Sequence, residues 1–206
     1  MTRLQFLLGT LTMFCAPVWA ATSELLTAIA AQIEQHPVVQ AEFVQTKKMT
    51  ALHRPLISRG RMVFSRQDGL FWWIEEPLKM GYWLGDAKMV EILPNGERRE
   101  QATASNPALA QISRVMRSML AAQASTLVEN FDVHASGRTS QWVLTLVPKQ
   151  AQLLQHVRRI QLSGGRFIEE VILVEPSGDS TQTRFFSSEA MRELPVALTG
   201  QFTKAP

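Results

Sequence analysis

The spacing of apolar side chains changes once near the start of the chain, from a helical period to an alternating one. In the stretch SELLTAIAAQIEQ, residues 23–35, Leu25, Leu26, Ile29 and Ile33 recur at the spacing of one helix face. Ser23 or Thr22 is suited to cap its start, and Pro37 lies beyond its end. After Pro37, apolar and polar residues alternate. Turn signals follow closely at Asp68-Gly69, Gly85-Asp86, Asn95-Gly96, Gly164-Gly165 and Ser177-Gly178-Asp179. The pattern predicts strands over 38–49, 58–66, 70–75, 80–85, 88–93 and 97–102, then over 127–135, 141–147, 157–162, 167–175 and 181–187.

Between the two groups, residues 106–123 read NPALAQISRVMRSMLAAQ. Asn106 is suited to cap a helix there and Pro107 to open it, while Leu109, Ile112, Met116, Met119 and Leu120 form one stripe. The predicted order is helix, about six antiparallel strands, helix, then about five more strands. So much antiparallel pairing favours a large curved sheet or incomplete barrel over a sandwich of equal sheets, with helices covering one face. A helix against the concave side of such a sheet encloses apolar space of the kind that takes fatty ligands.

One stretch, GLFWWIEEP from Gly69 to Pro77, bears on that space. Successive strand residues point to opposite faces. Phe71 and Trp73 therefore share one face, and Trp72 joins Leu70 and Ile74 on the other. Phe71 and Trp73 are expected to form cavity wall. For Trp72 two placements are open, packed under a neighbouring element or exposed as a docking contact.

The chain's first twenty residues are expected to be a secretory signal peptide. Arg3 precedes an apolar run from Leu4 to Phe14, and Val18-Trp19-Ala20 ends in a small residue suited to cleavage. The lone cysteine, Cys15, follows the bulky Phe14, a poor context for lipoprotein processing. If it is removed with the signal, no disulfide or cysteine nucleophile remains. Residues 21–206 are expected to form a single domain, since no Pro, Gly or Ser-rich linker divides them. The formal net charge of +3 is far from the dense basic footprint of a nucleic-acid binder.

Tests for chemistry return little. His36, His53, His134 and His156 are scattered without metal-ligand spacing, and there is no nucleophile elbow, phosphate-cradling loop or dinucleotide fingerprint. Glu75-Glu76 and Glu169-Glu170 are neighbours on strands and so face opposite ways, which suits solvated edge charges better than acid/base work. The basic run Lys47, Lys48, His53, Arg54, Arg59 and Arg61 fits a solvated, aggregation-blocking edge, or contact with an acidic partner or anionic headgroups. No catalysis, metal or cofactor is expected. The distinctive inventory is apolar: Met62, Phe64, Phe71, Trp72, Trp73, Trp83, Trp142 and the methionines of residues 106–123. Each fits an ordinary core, although methionine also suits a pocket for variable apolar shapes.

With these elements placed, the sequence resembles the periplasmic outer-membrane lipoprotein carrier family, LolA, and its wider superfamily. Phe43-Val44-Gln45 matches the family's F-x-Q on the first strand, and Gly60-Arg61-Met62 the glycine opening the second. FSRQDGLFWWIEEP is similar to an arginine turn followed by F-x-W and a proline. YWLGDAKMVEIL resembles the family's Asp-Gly-Lys hairpin, and GGRFIEEVILVEPSGDSTQTRFF its late strand pair. The likeness spans nearly all of residues 21–206. It departs at Gln67-Asp68-Gly69, where the family usually has proline, at Ala87 after Asp86, and at Trp72.

The resemblance implies an unclosed antiparallel β-barrel with a helical lid, and a periplasmic carrier of acylated lipoproteins from inner to outer membrane. Implied partners are the acylated cargo, an inner-membrane transporter and an outer-membrane receptor. The expected cavity lining is Met62, Phe64, Phe71, Trp73, Met116, Met119, Leu120, Trp142 and Leu144. Arg66 falls on the arginine that ties barrel to lid, which implies a gating role. Two alternatives stay open, a carrier of another acylated lipid tied to a biosynthesis and export cluster, and a sensor or binding module of the envelope.

Overall fold

A computed structural model describes residues 18–102 and 124–195 of the chain. The predicted signal segment up to residue 17, with Cys15, lies outside the described residues, as does the second predicted helix with Met116, Met119 and Leu120. The first helix, α1 (Val18–Glu34), begins earlier than the predicted cap. Between Pro17 and Thr22 the sequence holds no further breaker, and Ala20 and Ala21 are strong helix formers.

The strands form one 11-stranded antiparallel sheet that does not close. The first meander is β1 (Val38–Lys48), β2 (Leu56–Ser65), β3 (Gly69–Glu76), β4 (Met80–Leu84), β5 (Lys88–Ile92) and β6 (Arg98–Ala102). The second is β7 (Phe131–Arg138), β8 (Gln141–Pro148), β9 (Arg159–Gly164), β10 (Ile168–Val174) and β11 (Ser180–Met191). The meanders join where β1 pairs with β11, so the first and last strands lie at the middle and β6 and β7 at the free edges.

Residues 124–130, partly expected as strand, form the helix α2 (Ala124–Asn130). Thr126 and Val128 favour a strand locally, but complete burial of Leu127 wins. A four-residue helix, α3 (Ala151–Leu154), is too short to leave a periodic signal.

The concave face holds the main core. Leu26, Ile29, Ala30 and Ile33 form the buried stripe of α1 and meet Ala41, Phe43, Met62, Phe64, Leu144, Ile160 and Leu162 from the strands. A second, smaller core lies on the convex face, where Val38, Val63, Phe71 and Val90 pack with Trp73, Trp83, Ile92, Met191 and Leu194.

Candidate functional site

Gly60 organises the centre of the concave face. It stands between Phe43 on β1 and Ile74 on β3, and a Cβ there would run into the Trp73 carbonyl oxygen. With no side chain at Gly60, the rings of Phe43 and Trp72 reach across β2 and stack, centroids 3.9 Å apart and planes 26° apart. Trp72 also presents an edge to Phe185 at 6.1 Å. Of the two placements left open for Trp72, the structure shows the packed one.

The same register corrects the expected wall. β2 pairs Met62 with Trp72 and Val63 with Phe71. Residues directly opposite across an antiparallel pair share a face. Phe71 and Trp73 therefore stand on the convex side, away from Met62 and Phe64. Phe71 lies 6.0 Å from Trp83, whose indole N–H donates to the Asp68 carbonyl at 2.7 Å. Alternation within β3 separates Trp72 from its neighbours, but only the pairing across the Arg66-Gln67-Asp68 turn says which of them joins Met62.

Beside the stacked rings, near the end of α1, lies a partly open and mainly apolar pocket lined by Ile33, His36, Val39, Met62, Phe64, Phe167, Ile168 and Ser188. Of the expected cavity residues it brings together Met62 and Phe64. Trp142 and Leu144 lie in the same concave core but do not line it. Trp142 instead positions the pocket. Its indole N–H donates to the Gly165 carbonyl at 2.8 Å, as does the Gln32 side-chain amide at 2.5 Å. These bonds fix the β9–β10 turn, which carries Arg166 and Phe167, to both β8 and α1.

The opposite side of the pocket is shaped by a bulge. Gln40 pairs with Glu189 and Glu42 with Phe186, so Ser187 and Ser188 together oppose Ala41. Ser187 takes φ 51°, a left-handed conformation seldom used by serine. Such bulges re-aim side chains, and here the extra residue leaves Ser188 at the pocket. The sequence carries no turn signal at Ser187-Ser188, so Ser188 was not legible beforehand; nor were His36, Val39 and Phe167.

The polar rim of the pocket is small. Arg166 Nε donates to His36 Nε2 at 3.4 Å, and both groups rest on the Phe167 ring, with centroid distances of 5.2 Å from the guanidinium and 5.0 Å from the imidazole. Burial, and then the Arg166 charge, hold the His36 pKa below its ordinary value. Arg66 sits nearby. Its backbone N–H donates to the Pro37 carbonyl at 3.0 Å and its guanidinium lies 4.0 Å from Glu34, tying the β2–β3 turn to the end of α1.

Three of the candidate carboxylates, Glu75, Glu76 and Glu170, are taken up in surface pairs. Glu75 meets Arg61 at 2.8 Å, Glu76 meets Arg59 at 3.6 Å and Glu170 meets Arg184 at 3.2 Å. Among the described residues, no group of three or more His, Cys, Asp or Glu is placed to hold a metal ion.

The profile of the family described as outer membrane lipoprotein carrier protein LolA-like matches residues 20–199. The chain belongs to the LolA-like family. Among solved structures, a LolA superfamily protein from Nitrosomonas europaea is 9% identical with a TM-score of 0.45, covering 83% of this chain and 95% of that one. A lipoprotein-sorting protein domain from Vibrio parahaemolyticus is 11% identical with a TM-score of 0.46, covering 86% and 95%. The MucA/MucB complex of Pseudomonas aeruginosa gives 13% and 0.48, covering 86% of this chain and 59% of the matched one. No curated protein matches. The LolA-like motifs now have places in the fold: Phe43 of F-x-Q is in the concave stack, Gln45 donates to Thr183 Oγ1 at 3.2 Å, and Phe71 and Trp73 of F-x-W build the convex core.

Proposed function

We propose that this LolA-like protein is a non-enzymatic, monomeric periplasmic carrier. It shields the acyl chains of a lipoprotein, or of a related acylated lipid, between α1 and the concave face, and moves them from inner to outer membrane. The observation that supports this reading best is the apolar pocket opening beside α1 on the inner face of an unclosed sheet, with flexible Met62 among its walls.

The energetics suffice. Each methylene withdrawn from water contributes about 0.8 kcal/mol, so about ten contribute roughly 8 kcal/mol, near a micromolar dissociation constant before ordering costs. A chain of that length needs more room than the pocket beside α1 offers, so loading requires α1 to shift on the sheet. Cargo moves on only to a better apolar site, so an inner-membrane transporter delivers it and an outer-membrane receptor takes it.

Mass spectrometry of the purified protein, combined with displacement of a fluorescent fatty acid, tests the reading. Lipid should be retained and the probe displaced, and Val39→Trp, which fills the pocket from a half-buried strand position, should abolish displacement while the thermal midpoint changes little. Absence of retained lipid together with absence of probe binding overturns it.

A further inference from the structure

The pocket has an apolar interior and a rim that is neither apolar nor neutral. Arg166 is exposed, and among the described residues no carboxylate is paired with it; the acidic group of its own turn, Glu169, sets its carboxylate against Gly165, 3.7 Å from the position of an added Cβ. The nearest acidic side chain of α1, Glu34, is turned to Arg66 at 4.0 Å. Glu189 belongs to the other face, because it pairs with Gln40, which pairs in turn with Val63 of the convex core. The carbonyl end of α1 would repel an anion, but two of its carbonyls, those of Gln32 and Ile33, accept hydrogen bonds from the Gln35 and His36 amides at 3.4 and 3.2 Å.

We propose that Arg166, His36 and Ser188 form an oxyanion site at the mouth of the pocket. It takes the phosphate or carboxylate of an acyl-chain amphiphile whose chain enters between Met62 and Phe64. This rests on the reading of the pocket as an acyl-chain site and narrows it from any acylated cargo to an acidic one.

Several features of the structure converge on that assignment. The guanidinium is anchored without being neutralised, because its partners are the His36 imidazole and the Phe167 π-face. An arginine held in this way keeps donors for a planar or tetrahedral oxyanion, which it binds through a fork. His36 Nε2 accepts from Arg166, which leaves Nδ1 as the protonated nitrogen and a donor. The Ser187 bulge brings a hydroxyl donor to the pocket from the β11 side. Phe167 serves both parts at once, as a platform for the charged rim and as a wall for the chain.

The test is a calorimetric titration, below micelle-forming concentrations, with dodecyl phosphate, neutral dodecyl maltoside and inorganic phosphate. The proteins are wild type, Arg166→Gln, Ser188→Ala and, as a control, Arg184→Gln on β11. Wild type should bind dodecyl phosphate about tenfold more tightly than the maltoside, the size expected of a charged hydrogen-bond pair. Arg166→Gln should remove that preference and leave the maltoside affinity in place. Ser188→Ala should reduce the preference in part, and Arg184→Gln should not alter it. Equal binding of the two detergents, unchanged by Arg166→Gln, overturns the oxyanion site and leaves the carrier standing. Binding of neither detergent overturns both. Inorganic phosphate competing as well as dodecyl phosphate also overturns the proposal, because the site would then take a free anion and not a lipid.

Discussion

Trp72 lies flat on Phe43, 3.9 Å from ring centre to ring centre, on the face of the sheet that α1 covers. The contact joins β1 to β3 over the head of β2, so it fixes both strands relative to the strand between them. Removing either ring leaves a cavity that this rigid three-strand unit cannot collapse to fill. Phe43→Ala should cost about 3–5 kcal/mol in urea denaturation. A double-mutant cycle with Trp72→Ala should return a coupling of about 0.5–1.5 kcal/mol. A coupling indistinguishable from zero would mean that the rings merely fill space.

Gly60 lets β3 lie close against β2 beside that contact, and the reason is space rather than backbone freedom. A methyl group there would clash with the Trp73 carbonyl, which is backbone and cannot swing away. Gly60→Ala should cost more than about 3 kcal/mol or prevent folding. Gly96 gives the opposite case, with φ 84° and nothing within 4 Å of an added Cβ. There only the left-handed conformation resists, and Gly96→Ala should cost about 1–2 kcal/mol. Thermal melts of the two variants should keep this order; the reverse order would contradict the close approach of β3 to β2.

How far the sequence carried this architecture depends on which physical signal each part used. The strands were legible because alternation and turn residues are local, and the eleven expected segments correspond to the strands of the sheet. The site was legible only in part. Met62 and Phe64 border the pocket beside α1, but Phe71 and Trp73 were assigned to the cavity wall from alternation inside β3 alone. The face they occupy is set by pairing across a turn, a non-local fact. Ser188 depends on a bulge and His36 on how the chain leaves α1, and neither has a periodic signature.

Trp142 and Gln32 share a single acceptor, the Gly165 carbonyl. Trp142→Phe keeps most of the ring volume but deletes the N–H, so the loss should be about 1–2 kcal/mol. The effect should also be local. The Gly165 amide, bonded to the Phe167 carbonyl at 3.1 Å, should exchange with solvent faster while amides of β1 and β2 keep their protection. Uniform loss of protection across the sheet would instead mark Trp142 as an ordinary core residue with no special hold on the turn.

The acid limb of the stability curve should report His36. Burial first, and Arg166 second, lower its folded pKa below the ordinary 6.5. The unfolded chain therefore takes up this proton first as the pH falls. Between the two pKa values the unfolded state binds more protons, so stability is complete above 6.5 and declines as pH drops toward the folded value. The urea midpoint of wild type should fall more steeply from about pH 7 to about pH 5 than that of His36→Gln. Parallel slopes would remove His36 as a contributor.

The two faces of β3 make a final pair of variants informative about function. Trp73 belongs to the convex core with Phe71 and Val63, and Val39 borders the pocket on the concave side. If cargo occupies the concave side, stability and binding should separate. Trp73→Ala should lower the thermal midpoint and leave displacement of a fluorescent fatty acid intact at a temperature where the protein is folded. Val39→Trp should do the converse. The F-x-W motif would then serve the barrel wall and not the ligand, with Trp72, the residue between, holding the interior. Loss of binding in Trp73→Ala with no loss in Val39→Trp would move the cargo to the convex face and reverse the assignment of inside and outside.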